Sequence, residues 1–354
     1  MKNSNQVDET RDDSEILEDS SVEKVKRGIP RHVYILIAVA MVMTSFASIL
    51  IRYAGEGITL IDSTLTPADA TVIAFWRLLF ATIGMFIGTL VSRNLKQFKK
   101  VKVKRDLPLL ALSGLMLAIH FATWNLSLQI TNIASSMTIV YLMPFFALIL
   151  SFFFLKEKVS WAQFGAIILA MIGAIVVGLS PLLISEDTGS IRGDLIALVG
   201  GISAAAYFVI GRKMRERLDI FSYATIVYGI CTICLLVFIL AYPQARHKII
   251  DDLRWWHFLF FGLLALGPSC LGHTLYNYSL GFVKAPVITV TALGEMFGAT
   301  ILAYAFFREI PSWLVFIGMA LVATGIIITV IFENRAMKKQ LESPTTPTEK
   351  ISEG

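Results

Sequence analysis

Residues 155–161 read Leu-Lys-Glu-Lys-Val-Ser-Trp, and residues 307–313 read Phe-Arg-Glu-Ile-Pro-Ser-Trp. Glu157, Ser160 and Trp161 recur as Glu309, Ser312 and Trp313, a separation of 152 residues. The same gap-free shift carries Asn125, Ser127 and Leu128 onto Asn277, Ser279 and Leu280, and Gly173 onto Gly325. An apolar composition produces chance identities, but hydropathy alone does not align Glu, Trp and Asn at one offset. The chain reads as a duplication, and a repeat constrains a fold more than any local pattern.

Around these motifs the sequence is apolar. Of 354 residues 56% are hydrophobic and 16% charged, against about 25% charged in an average soluble domain, and the mean hydropathy is +0.70. Two polar tails hold 22 of the 57 charged residues, leaving 35 for the 300 residues between them, too few for a water-facing surface. A helix crossing about 30 Å of hydrocarbon needs about 20 apolar residues. Ten such segments fit: 33–51, 70–91, 107–128, 133–155, 161–179, 195–211, 221–241, 256–280, 286–307 and 312–332. The loops between them are too short for a soluble domain. Five spans per half is an odd number, so the second half enters the membrane from the opposite side. The expected fold is therefore all-α and integral to the membrane, with ten transmembrane helices in two inverted five-helix repeats. A pseudo-twofold axis in the membrane plane recurs in secondary transporters, with the substrate near the midplane.

Basic residues beside the membrane stay in the cytoplasm. With the N-terminus inside, 21 Lys and Arg flank the spans on that side, seven of them in residues 93–105, against 6 outside. Both termini are expected to be cytoplasmic. The first span lacks a small-residue cleavage site and reads as uncleaved. The net charge of +5 then reflects topology and contact with phospholipid headgroups. No run of basic residues interleaved with aromatics marks a nucleic-acid partner. Cys231-x-x-Cys234 lies in an apolar span, where the thiolate that redox or zinc chemistry needs is disfavoured. No P-loop, zinc-protease or nucleophile-elbow motif occurs, so neither nucleotide hydrolysis nor a cofactor is expected.

Further residues carry a family resemblance. Tyr141-Leu-Met-Pro144, then Leu155-Lys-Glu157, Gly165 and Gly173, are echoed by Leu293-Gly-Glu295-Met and Arg308-Glu309, then Gly318 and Gly325, with Phe75-Trp-Arg77 in span two and Gly211-Arg-Lys213 after span six. The chain resembles the drug/metabolite transporter superfamily, EamA-like group. The cytoplasmic tails over 1–32 and 333–354 are poor in apolar residues and read as disordered. Between them the resemblance implies a first EamA-like repeat over 33–179, an external linker over 180–194 and a second repeat over 195–332. It also implies a ten-span carrier of small metabolites such as amino acids, commonly an exporter, in a bacterial inner membrane; a homodimer stays open. Where the family has Glu-Pro, this chain has Glu295-Met296, so the proline expected to break span four at Pro144 lacks a counterpart in span nine.

Two charges lie well inside spans, Arg77 and Glu295. An ionisable group at a helix centre costs about 2.5–3.5 kcal/mol on insertion, which makes it a functional candidate. Glu295 could bind a substrate ammonium or carry a coupling proton, against the plainer reading of a hydrogen-bonded acid between helices. Arg77, nearer the outer end, could snorkel or offer a fork to a carboxylate. Helical spacing aligns His120, Thr123, Trp124 and Ser127, and likewise His273, Tyr276, Asn277 and Leu280. With Asn125 and Tyr141 these residues are candidates for substrate contact or for ordinary interhelical bonding. His120 and His273 have no evident third ligand and are not expected to hold a metal. Pro144, Gly267 and Pro268 are candidate hinges, since each can open the backbone ladder where it faces a cavity. Glycines such as Gly165 and Gly173 read as helix contacts. The expected function is secondary transport of a small polar or zwitterionic metabolite by alternating access; an intramembrane enzyme or a non-transporting sensor is the alternative.

Overall fold

The computed structural model describes residues 29–56, 70–93, 95–131, 133–180, 190–241, 253–308 and 310–342. The tail over 1–28, most of the expected external linker, Glu309 and the last twelve residues lie outside them. All regular structure among the described residues is helical. Among the described residues ten helical spans are long and apolar enough to cross a membrane: Arg31–Ile51, Thr71–Val91, Val103–Ser127, Ser135–Leu155, Trp161–Leu179, Ile191–Arg215, Ile220–Ala241, Trp255–Ser279, Ala285–Phe307 and Trp313–Lys339. Helices are the open-ended way to satisfy every backbone polar group in hydrocarbon. Their outer faces present large apolar side chains such as Phe153, Phe154 and Ile301.

The duplicated motif is a helix terminator followed by a helix starter. Lys156 and Arg308, which the 152-residue shift superposes, both adopt left-handed φ, 56° and 58°, and end spans four and nine. Ser160 then caps span five, accepting from the Gln163 amide at 3.2 Å while Gln163 Oε1 accepts from the Ser160 amide at 3.0 Å. This capping box closes both orphan donors.

The packing is reciprocal as well. Span five meets span ten antiparallel, with Gly173 against Gly318 and Val322, and Gly325 against Ala166 and Ala170. These are equivalent positions contacting one another in exchange, the signature of a twofold axis perpendicular to the two helices. The same exchange relates the other main interfaces: three with six to eight with one, four with six to nine with one, and three with seven to eight with two. Span one therefore packs with eight and nine, and span six with three and four. We call spans three, four and six the first bundle, and spans eight, nine and one the second.

Several expectations are corrected. Span ten continues to Glu342, past the expected tail boundary at 333. Glu333 is buried there, accepting from Gln163 Nε2 at 2.8 Å and Lys284 Nζ at 3.2 Å. Span six begins at Ile191 rather than 195. Gly165 has no atom near its would-be Cβ and is not a helix contact. Span nine is broken without a proline, into helices Ala285–Ala292 and Glu295–Phe307. Its junction is tightened by bonds between residues three apart, Gly294 to Thr291 and Phe297 to Gly294. Met41 of span one packs directly on Gly294, where any side chain would collide with it.

A Cβ at Gly173 would stand 2.5 Å from the Gly318 carbonyl oxygen, a backbone atom with no room to yield. Gly173→Ala is expected to destabilise the protein by about 1–3 kcal/mol through overpacking. Gly165→Ala is expected to be neutral or slightly stabilising. Thermal unfolding of the two detergent-purified variants compares them, and equal midpoints would contradict the five–ten seam.

Candidate functional site

The central part of the bundle is built where three spans depart from regular helix. Span four is interrupted between helices Ile133–Val140 and Met143–Leu150, placing Tyr141 at the break and Pro144 in the first turn beyond it, where its missing N–H goes unneeded. Span nine is interrupted at Leu293 and Gly294, so Glu295 opens the helix Glu295–Phe307. A carboxylate in a first turn is favoured by the positive end of the helix dipole. Span eight widens into a π-type segment, Ala265–His273, around Gly267 and Pro268. Across the widened turn the Ser269 carbonyl accepts the Thr274 backbone N–H, and it also accepts from the Thr274 hydroxyl at 3.0 Å and from Tyr228 at 3.4 Å.

Arg77 is 3% exposed and does not snorkel. Its Nε donates to Ser269 Oγ at 2.7 Å, and its guanidinium lies 5.0 Å from the centre of the Phe121 ring. Its Nη2 is buried without a hydrogen-bond partner. On span three, His120 Nδ1 lies 3.0 Å from the Gly200 carbonyl. A carbonyl only accepts, so Nδ1 carries a proton and donates to it. The His120 ring stacks on Trp124, with centroids 5.8 Å apart, and the Trp124 indole N–H is buried without a partner. Gly200 permits this approach: a Cβ there would meet Thr123 Oγ1 at 3.1 Å.

From the second bundle, His273 stands edge-on to Phe121 at 6.2 Å with Nδ1 unpartnered, and Tyr276 is 1% exposed. The Tyr141 hydroxyl donates to Glu295 Oε1 at 3.5 Å, a long bond spanning the two bundles. Ser45 of span one donates to the Glu295 carbonyl at 2.9 Å, and Thr44 sits beside both Tyr276 and the Glu295 carboxyl. Arg77, His120, His273 and Glu295 are close enough to form one electrostatic cluster.

The structure thus gathers Arg77, His120, Trp124, Tyr141, His273, Tyr276 and Glu295. Asn277 is drawn elsewhere: its Nδ2 donates to the Tyr207 hydroxyl and, at 2.7 Å, to the His273 carbonyl. Asn125, its repeat equivalent, is 6% exposed near the opposite end of span three. Sequence reasoning missed Ser269, Tyr228, Tyr207 and Thr44. Tyr207 and Tyr228 carried a usable signal, phenols near the middle of apolar spans, where a hydroxyl seeks a partner.

The EamA-like transporter family matches residues 31–179 and again residues 191–331. The chain belongs to this family. It is a multi-pass membrane transporter. It is similar to the uncharacterized inner membrane transporter YhbE of Escherichia coli K12, 27% identical over 75% of this chain and 84% of the relative. It is also similar to an S-adenosylmethionine uptake transporter of Rickettsia bellii, 24% identical over 76% of this chain and 86% of the relative. Solute carrier family 35 member G1 of mouse is 26% identical over 57% and 54%. A crystal structure of 16% identity shares the fold, with a TM-score of 0.66 over 88% of this chain and 99% of that one.

His120→Phe preserves the ring stacked on Trp124 but removes the donor to Gly200. It is expected to lower stability by about 1 kcal/mol, the usual net contribution of one hydrogen bond. A thermal midpoint equal to that of the parent would show that the bond contributes nothing.

Proposed function

We propose that this EamA-like transporter moves a small zwitterionic metabolite, an amino acid or a related compound, by alternating access between its two bundles. The observation that carries the reading is a centre with two poles. One pole holds unpartnered donors, Arg77 Nη2 and the Trp124 N–H, beside His273. The other holds the Glu295 carboxyl, an acceptor, with Tyr141. A carboxylate on the substrate complements the first and an ammonium the second, so one zwitterion neutralises both without a net charge entering hydrocarbon.

The S-adenosylmethionine uptake transporters among the relatives fit this chemistry, because the methionyl end of that compound carries both groups. Exchange or export follows the gradients, with Glu295 the group that either binds the ammonium or carries a proton in its place. The repeats are inverted across the bilayer, with the axis in its plane, and the excess of Lys and Arg on one side sets both termini in the cytoplasm. Pro144, Gly267 and Pro268 lie at the helix interruptions around which such motion is hinged.

Thermal shift of purified protein against amino acids, nucleotides, sugars and polyamines selects the solute. Liposome counterflow then measures its movement. Glu295→Gln is expected to keep the shape of the site and cut flux at least ~10-fold, as loss of a charge-assisted contact does. Arg77→Lys is expected to weaken binding through loss of the forked donor. Normal flux by Glu295→Gln at every pH tested would rule out its coupling role. Lack of any saturable shift by a zwitterion, in folded protein, would rule out the substrate class.

A further inference from the structure

The hydrogen bonds that join the two bundles are unevenly distributed. Apart from the central Tyr141–Glu295 contact, those among the described residues cluster at the end that carries Arg31 and Glu333. There Arg212 of span six donates to the Leu280 carbonyl at the end of span eight, at 2.7 Å, and its Nε pairs with Glu157 at 2.8 Å. Arg215 donates to the Asn277 carbonyl at 3.2 Å, and the Asn277 amide donates back to Tyr207 of span six. Lys284, leading into span nine, donates to the Lys158 carbonyl just after span four at 3.1 Å. Gly211 allows spans six and eight to meet, since a Cβ would stand 2.8 Å from the Tyr223 hydroxyl and 3.1 Å from Asn277 Oδ1.

At the opposite end the polar contacts among the described residues stay within one bundle. Thr131 and Ser135 donate to Asp194 at 2.9 and 2.7 Å, tying spans three and four to span six of their own bundle. The helix Ala285–Ala292 packs on span four and span six, whereas Glu295–Phe307 packs on span one of its own bundle. Among the described residues the two bundles are therefore stitched below the charged centre and unstitched above it.

We infer that the seam of Tyr207, Arg212 and Arg215 against Asn277, Leu280 and the Lys284–Lys158 link is the gate at the terminal end, whose opening is the alternating-access step. It is made largely of side-chain donors on backbone carbonyls at helix ends. Such carbonyls are already orphaned by the helix terminus and can pass to water when the seam parts. The gate can therefore open without leaving a buried polar group unmet, whereas an apolar seam would expose hydrocarbon to water. Arg212 keeps its Glu157 partner within the first bundle when it releases Leu280, so no lone charge is left. Asn277 is the seam residue of span eight, and its repeat equivalent Asn125 stands where a matching seam would form at the other end in the opposite state.

The inference rests on the alternating-access reading, and its test needs no substrate. Spin labels at Lys213→Cys on the first bundle and Arg31→Cys on the second report the terminal-end separation by pulsed electron resonance, in a background of Cys231→Ala, Cys234→Ala and Cys270→Ala. Glu157→Gln with Arg212→Met removes the charged stitch without stranding a partner. Tyr207→Phe removes one hydroxyl with the ring retained and decides the case if the double variant does not fold. Either is expected to raise the ratio of long to short distances, by ~10-fold or more for the double variant, a population shift of the usual two-state kind. Thr131→Val, which breaks a bond inside one bundle, is expected to leave the ratio unchanged. An unmoved distribution in folded seam variants, or an equal shift with Thr131→Val, would overturn the gate. A seam that opens in a protein moving no solute of any class would leave the gate standing and overturn the transport reading.

Discussion

A guanidinium and a carboxylate share one hydrocarbon-surrounded centre, and the rest of the structure is arranged around that constraint. Neither charge tolerates an apolar wall. Arg77 is held by Ser269 and the face of Phe121, while Glu295 is placed at a helix start and reached by Tyr141. Ser269 can accept this role because span eight widens around Pro268, and Glu295 occupies a helix terminus because span nine breaks at mid-membrane. Interrupted helices deep in a bilayer are tolerated only where protein or a cavity receives the freed backbone groups. The irregularities and the charges thus require one another: each break supplies the polar environment that a continuous helix withholds.

Gene duplication accounts for the paired breaks of spans four and nine, whereas the widening of span eight has no counterpart in span three, a continuous helix. A twofold exchange brings the break in span four opposite the break in span nine, and span three opposite span eight. The five–ten seam shows the exchange at atomic contact, with Gly173 and Gly325 performing the same task on partner helices. Because the axis is perpendicular to these helices, the halves run oppositely, and under the proposed alternating access an opening at one end has a related closing at the other. On that reading symmetry supplies the two states, and divergence between the copies sets their balance.

Much of this was legible in the sequence because it is periodic or local. The ten spans follow from runs of apolar residues, and the Lys156–Trp161 and Arg308–Trp313 copies mark where spans four and nine stop and their successors start. Arg77 and Glu295 stood out as charges that hydrocarbon penalises. What escaped was decided by partners distant in the chain. Glu333 looked like the start of a polar tail, yet Gln163 and Lys284 bury it and prolong span ten. The break in span nine was expected to need a proline, but Met41 pressing on Gly294 and tightened backbone bonds accompany it instead. Gly165 and Gly173 are indistinguishable as letters; only the presence or absence of a helix opposite separates them. The pairing of span one with the second half and span six with the first also carries no local signature.

Where the copies have diverged, the difference is chemically directed. The 152-residue shift carries Gln163 onto Val315, whose side chain has no donor, so the bond that Gln163 makes with Glu333 has no counterpart from Val315. A donor lost in one copy leaves a contact that holds only one end of the molecule. A perfectly symmetric carrier would populate its two states equally. On the proposed alternating-access reading, long basic side chains on helix-terminal carbonyls at one end bias that equilibrium without altering the shared centre. On that reading the energetic asymmetry of transport resides in the seams, because the groups proposed to close an end are different residues from those proposed to meet the solute.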